Sequence, residues 1–240
     1  MIVVTLTSWL KRINNVKTVV ESIINNTVKP DIVYLNLSKE EFKDIELPSD
    51  LVDYFNSDER LVINWVEGNT KSFKKLYPIL KYLNDDDIII SADDDILFPK
   101  DLIEFRLKDF RLYGCKYPIS SSNRFASEIK GAMVIAPVYV VTKKMLKNWE
   151  KLIVPEIIAT NNDDRTLLYL LYMNGYVAKP VSRYSSRGLC KNFSYNPICS
   201  MKENHLYPIG ANYDKVVAPI IKRITGTTIQ KSFNFFEKYK

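Results

Sequence analysis

The chain reads as an α/β protein with a mostly parallel central sheet flanked by helices. Three observations carry that expectation. Short β-branched runs alternate with stretches of helical apolar spacing, no Gly/Ser/Pro-rich linker divides the 240 residues, and the apolar run Ile88-Ile89-Ile90 leads straight into Asp93-Asp94-Asp95.

Ile2–Thr7 has the composition of a central strand, and Val16–Asn25 carries apolar residues at helical spacing before a turn at Lys29-Pro30. Ile32–Leu37 is the second strand, Asp50–Phe55 a helical pattern, and Leu61–Val66 the third strand. A helix from about Ser72 to Leu83 precedes the strand that ends in the acidic triplet. Strand, helix and strand in succession imply right-handed crossovers and parallel neighbours. After the triplet, Pro99–Tyr113 reads as a helix, Val134–Ala136 and Val138–Val141 as one or two strands, and Lys143–Lys151 as a helix. Thr166–Met173 is strongly helical and stops at Asn174-Gly175, with a short strand expected at Tyr176–Ala178. From Lys179 onward, Tyr, Ser, Asn and Pro make the pattern irregular. The expected division is a domain over 1–180 and an irregular C-terminal extension over 181–240.

Cys115, Cys190 and Cys199 are odd in number and lack CxxC spacing, which fits reduced thiols in a cytosolic protein better than a disulfide frame or a zinc site. Met1–Thr7 is apolar but short and is followed by Lys11 and Arg12, unlike a signal peptide. The weakly polar run Gly131–Val141 is too short to cross a bilayer. A soluble, cytoplasmic protein is expected. The net charge of +6 favours anionic partners: nucleotide phosphates, acidic lipid headgroups or nucleic acid.

Adjacent carboxylates raise one another's pKa, so Asp93, Asp94 and Asp95 at the end of an apolar run call for a hard divalent cation with oxygen ligands. In an extended segment Asp93 and Asp95 share a face and Asp94 takes the other. An N-cap for a helix starting near Pro99 needs only one Asp. A second triplet, Asp85-Asp86-Asp87, precedes the same strand; ligands of open α/β sheets bind at the carboxyl ends, so it reads as a solvated turn.

Thr5, Thr7 and Ser8 close the first strand, where hydroxyls reach a base or ribose, or, for Ser8, cap the next helix. Arg12 offers a guanidinium fork to phosphate or carboxylate, or lies on the surface. Lys71, Lys74 and Lys75 stand near a helix start, either as diphosphate ligands or as a solvated face.

Together these residues resemble a family, the small bacterial nucleotide-diphospho-sugar transferases of the GT-A glycosyltransferase type, family 2-like. The resemblance covers roughly Ile2–Ala178. It rests on Thr5-Leu6-Thr7-Ser8 with Arg12, the Thr27–Asp31 turn, Lys71–Pro78, the triplet within Ala92–Pro99 as a DXD motif, and Asn162-Asp163-Asp164 as the downstream acidic site. It implies a GT-A, Rossmann-like sheet and Mn²⁺ or Mg²⁺ held by Asp95, with Asp93 sharing the metal or holding the ribose hydroxyls. His205, the sole histidine, is a further candidate ligand or a surface residue. Donor contacts are implied for Thr5, Thr7, Ser8, Arg12, Lys71, Lys75, Asp93 and Asp94, with Asp94 turned more toward the fold and Lys75 the first choice for the diphosphate.

Inverting glycosyl transfer needs a base for the acceptor hydroxyl. Asp163 and Asp164 are the candidates, Asp164 slightly favoured; relatives often place Glu before the base where this chain has Asn162. Either residue also suits a helix cap. The implied activity is a hexosyltransferase that moves a sugar from a UDP-type donor to a glycan or lipid-linked acceptor in surface polysaccharide or lipooligosaccharide synthesis. The extension then completes the acceptor side, or its basic amphipathic Lys215–Lys240 contacts the anionic inner face of the membrane. Two rivals fit less well. Nucleotidyl transfer expects a glycine-rich loop, and Thr5–Arg12 has no glycine. A glycan or nucleic-acid binder gives no reason for the triplet, and nucleic acid is not an expected partner.

Overall fold

The computed structural model describes residues 1–185, except 123, 127, 128 and 130, together with 219, 220 and 223. Strand β1 (Ile2–Thr7) is buried on both faces because it lies inside the sheet, between β2 (Ile32–Ser38) and β4 (Ile88–Ser91), both parallel to it. Strand β3 (Leu61–Val66) extends the parallel part beside β2. On the other side β6 (Tyr139–Thr142) runs antiparallel to β4, followed by β5 (Ile119–Ser120) and β7 (Lys179–Pro180). The seven-stranded order is β3-β2-β1-β4-β6-β5-β7.

That order explains where a site forms. The chain moves outward from β1 to β2 and β3, then returns to β4 on the opposite flank, so a crevice opens where the carboxyl ends of β1 and β4 diverge. Because β6 opposes β4, its first residue, Tyr139, lies at that same margin.

Helices α1 (Val16–Ile24), α2 (Ser49–Asn56), α3 (Leu102–Leu112), α4 (Pro155–Ile158) and α5 (Asp163–Met173) cover the sheet. Val19, Val20 and Ile23 of α1, Leu51 and Phe55 of α2 and Leu107 and Phe110 of α3 join the strands in the core. Helix α1 and the turn after it also anchor the segment that leads into α3: buried Asn26, just past α1, accepts from the Ile103 amide at 3.0 Å, and the Ser22 hydroxyl of α1 accepts from the Phe98 amide at 2.9 Å. The helix after the triplet therefore needs no cap from it.

Four segments depart from expectation. The helix expected over 72–83 is two 3₁₀ segments, Lys71–Lys75 and Tyr77–Tyr82, because Pro78 brings no amide donor to a continuous ladder. The helix expected over 143–151 is likewise two 3₁₀ turns, Lys143–Leu146 and Trp149–Leu152, parted by Asn148 in the left-handed region at φ 67°. Residues 134–136 are not a strand, and the last strand falls at Lys179–Pro180 rather than 176–178. Helix α5 ends as expected, with Gly175 at φ 85° and the Tyr176 amide donating back to Leu171.

No helix among the described residues is long and apolar enough to cross a membrane. Cys115 is exposed. Cys190, Cys199, His205 and nearly all of Lys215–Lys240 lie outside the described residues, although Ile220 is buried against the core.

Candidate functional site

Strand β4 stops at Ser91, so Asp93, Asp94 and Asp95 occupy a turn instead of an extended segment, with the Ile96 amide donating to the Asp93 carbonyl. The alternation expected of a strand is therefore broken. Asp94 and Asp95 both reach Arg12, at 2.8 and 3.0 Å, and Asp94 also accepts from the Ser8 hydroxyl at 2.6 Å. Asp94 is buried, as its expected turn toward the fold requires. Asp93 points the other way, 2.8 Å from the Lys75 ammonium.

Helix α5 brings the second acidic pair to the same ammonium. Asp163 stands 3.3 Å and Asp164 3.8 Å from Lys75 Nζ. Neither aspartate is the cap: the Asn162 side chain accepts from the Arg165 amide at 3.2 Å and fills that role, leaving both carboxylates to face the crevice. Asp164 Oδ1 is buried without a hydrogen-bond partner among the described residues, 3.8 Å from Lys75 Nζ.

Other residues singled out by sequence form the frame. Thr5 is fully buried and donates its hydroxyl to the Lys75 carbonyl, which also accepts from Asn36 Nδ2 at 3.4 Å. Thr7 donates to the Asn36 carbonyl at 2.7 Å. Lys74 is buried against Glu41 at 3.3 Å, and burial pushes its pKa below the ordinary lysine value although Glu41 pulls it up. Lys71, with φ 53°, is exposed at the crevice end of β3, its amide donating to Asn69 Oδ1 at 3.0 Å. Asp85–Asp87 lie in a turn at the far end of β4, where Asp86 pairs with exposed Lys144 at 2.5 Å.

Sequence reasoning missed Tyr139 and Asn36. The Tyr139 ring lies 5.9 Å from Lys75 Nζ and is buried, and burial together with Asp164, Asp163 and Asp93 drives its hydroxyl far above the ordinary tyrosine value. The apolar runs around both residues hid them; only a polar Asn inside the otherwise apolar β2 gave a signal.

The charges do not balance. Among the described residues five carboxylates, at 93, 94, 95, 163 and 164, face two cations, Arg12 and Lys75, a formal surplus of three negative charges within that set. Burial, then the Asp93 charge, pushes Asp95 up to about 7 despite Arg12, and burial holds Asp164 at about 7 despite Lys75. Burial also raises Asp94, against Arg12 and Ser8. Among the described residues no three His, Cys, Asp or Glu side chains converge as a complete metal shell. Hard oxygen donors, surplus negative charge and an unpartnered carboxylate oxygen nevertheless suit a divalent cation that takes its remaining ligands from a substrate.

No protein-family model matches the sequence, and no curated protein matches it. Solved structures share its architecture. The mannosyltransferase PcManGT from Pyrobaculum calidifontis, in complex with GDP-Man and Mn²⁺, superposes with a TM-score of 0.53 at 14% identity, covering 79% of this chain and 59% of its own. S. aureus TarS 1-349 in complex with UDP gives a TM-score of 0.52 at 11% identity over 98% of this chain and 74% of its own. The fold is GT-A-like. A 4-diphosphocytidyl-2C-methyl-D-erythritol synthase from Anaerococcus prevotii is also similar, at a TM-score of 0.45 and 14% identity over 81% of this chain and 97% of its own, a likeness too loose to argue from. At such identities the likenesses speak for architecture alone.

Proposed function

We propose that this protein is a metal-dependent, inverting glycosyltransferase that moves a sugar from a nucleoside-diphosphate donor, of UDP type, to a glycan or lipid-linked acceptor. One observation carries the reading. A turn of three aspartates closes β4 at the switch point of the sheet and faces a second acidic pair on α5, with more negative charge than Arg12 and Lys75 neutralise. The likeness to a mannosyltransferase solved with GDP-Man and Mn²⁺ and to TarS solved with UDP supports it.

Asp95 and Asp93, both partly exposed, would hold Mn²⁺ or Mg²⁺, which when bound offsets the charge of the departing diphosphate. Arg12 fixes Asp94 and Asp95, and Ser8 fixes Asp94, so the turn is preorganised. Thr7, at the carboxyl end of β1, would meet a ribose or base, and exposed Lys71 would approach the diphosphate. Asp164 accepts the proton of the acceptor hydroxyl as its oxygen bonds to the anomeric carbon and the bond from that carbon to the phosphate oxygen breaks; Asp163 stays beside it. In this reading His205 remains a candidate to complete the metal shell, the 181–240 extension would complete the acceptor side, and Lys215–Lys240 would meet an anionic membrane where the acceptor is lipid-linked.

Thermal shift with UDP, with and without Mn²⁺, tests donor binding, and product release from a panel of sugar nucleotides tests the chemistry. Metal-dependent stabilisation by UDP and hydrolysis of one donor are expected. Release of pyrophosphate from a nucleoside triphosphate, with no response to UDP, would move the assignment to nucleotidyl transfer. Asp164→Asn should lower kcat by about 10²- to 10⁴-fold while UDP still binds; full activity removes Asp164 from the mechanism.

A further inference from the structure

The two halves of the acidic centre come from distant parts of the chain. Asp93 sits on the turn after β4, whereas Asp163 and Asp164 open α5, and their like charges would drive these elements apart. Lys75 lies between them. Its side chain is 6% exposed, and its ammonium meets Asp93 at 2.8 Å, Asp163 at 3.3 Å and Asp164 at 3.8 Å, over the Tyr139 ring at 5.9 Å. Its main chain is fixed as well, the carbonyl accepting from Thr5 on β1 and Asn36 on β2. A lysine clamped at both ends, with its ammonium enclosed by three carboxylates, is a poor candidate for reaching out to a diphosphate. It must break three ion pairs to do so, and exposed Lys71 needs to break none that the structure shows.

We propose that Lys75 is a positioning residue: a built-in cation that draws the β4 turn and the start of α5 together and sets the distance between Asp93 and the Asp163-Asp164 pair. Its charge is secure in that setting. Burial alone would depress its pKa, but Asp163, Asp93 and Asp164 together hold it well above the ordinary lysine value. The positioning role in catalysis rests on the glycosyltransferase reading; the clamp itself does not.

The test compares Lys75→Met, Lys75→Arg, Asp163→Asn and the Lys75→Met/Asp163→Asn pair. With the donor that the wild type turns over, Lys75→Met should lose at least about 100-fold in kcat while calorimetric affinity for UDP with Mn²⁺ does not fall, and Lys75→Arg should recover part of kcat. Removing the Asp163 charge should restore to Lys75→Met much of its lost thermal stability, or its folding if the single variant does not fold. UDP affinity that falls in step with kcat would make Lys75 a donor ligand and overturn the proposal, as would a Lys75→Met protein as stable as wild type, or losses that simply add. If the wild type turns over no sugar nucleotide, the glycosyltransferase reading fails, and the stability cycle still decides whether Lys75 holds the centre together.

Discussion

At Asp164, burial pushes the carboxyl up to about 7 even though Lys75 pulls it down. A base must be ionised to accept a proton, so kcat/KM should fall below about pH 7, with an acid limb that Asp164→Asn abolishes together with activity. A pH–rate profile checks this. The same shift sets a stability trend. The folded protein holds a proton that the unfolded chain releases between pH 3.8 and about 7, so this residue makes the fold less stable as pH rises through that window. Asp164→Asn should therefore unfold at higher urea than wild type at pH 8 and show little difference at pH 4. The aspartates were legible in the sequence because carboxylates at a strand end and before a helix have few structural uses. Which cation each would meet was not, since Lys74 and Lys75 are adjacent in sequence yet face Glu41 and the acidic centre respectively.

Helix α3 shows how one element fixes the start of the C-terminal third. Arg106 is fully buried and donates to the carbonyls of Arg183 and Tyr184 at 2.9 and 2.6 Å, while Asp109 accepts from the Ser182 amide at 3.1 Å and Asp101 from the Tyr184 hydroxyl at 2.6 Å. Burial lowers the Arg106 pKa to about 10, with Asp109 opposing. Arg106→Met would take the side-chain donor from two carbonyls and the compensating charge from buried Asp109, and should cost on the order of 3 kcal/mol in urea unfolding. At α5, Asn162→Ala should cost about 1 kcal/mol as a lost cap. Elements with long apolar periodicity, such as α1 and α5, announced themselves in sequence. The 72–83 and 143–151 segments did not, because Pro78 and the left-handed Asn148 interrupt the backbone ladder without disturbing the apolar spacing.

Over the whole molecule, alternating strands and helices made the parallel half of the sheet legible, and the acidic run marked the crevice margin. The antiparallel half was obscure because β5 and β7 are two residues each, too short to carry a period. Charge is also distributed at this scale: a chain of net +6 encloses a centre where, among the described residues, carboxylates outnumber cations by three. The basic exterior should speed the approach of an anionic nucleotide, so the association rate of UDP with the Mn²⁺-loaded protein should drop as salt rises from low to physiological strength, in stopped-flow measurements.

The polar rungs that cross the sheet have a consequence of their own. Asn64 on β3 donates to Asn36 on β2 at 2.7 Å, and Asn36 donates to Thr5 on β1 at 3.0 Å and to the Lys75 carbonyl. A substitution at the edge strand is thus wired to the acidic centre, and reshaping that flank would shift Lys75 from two strands away.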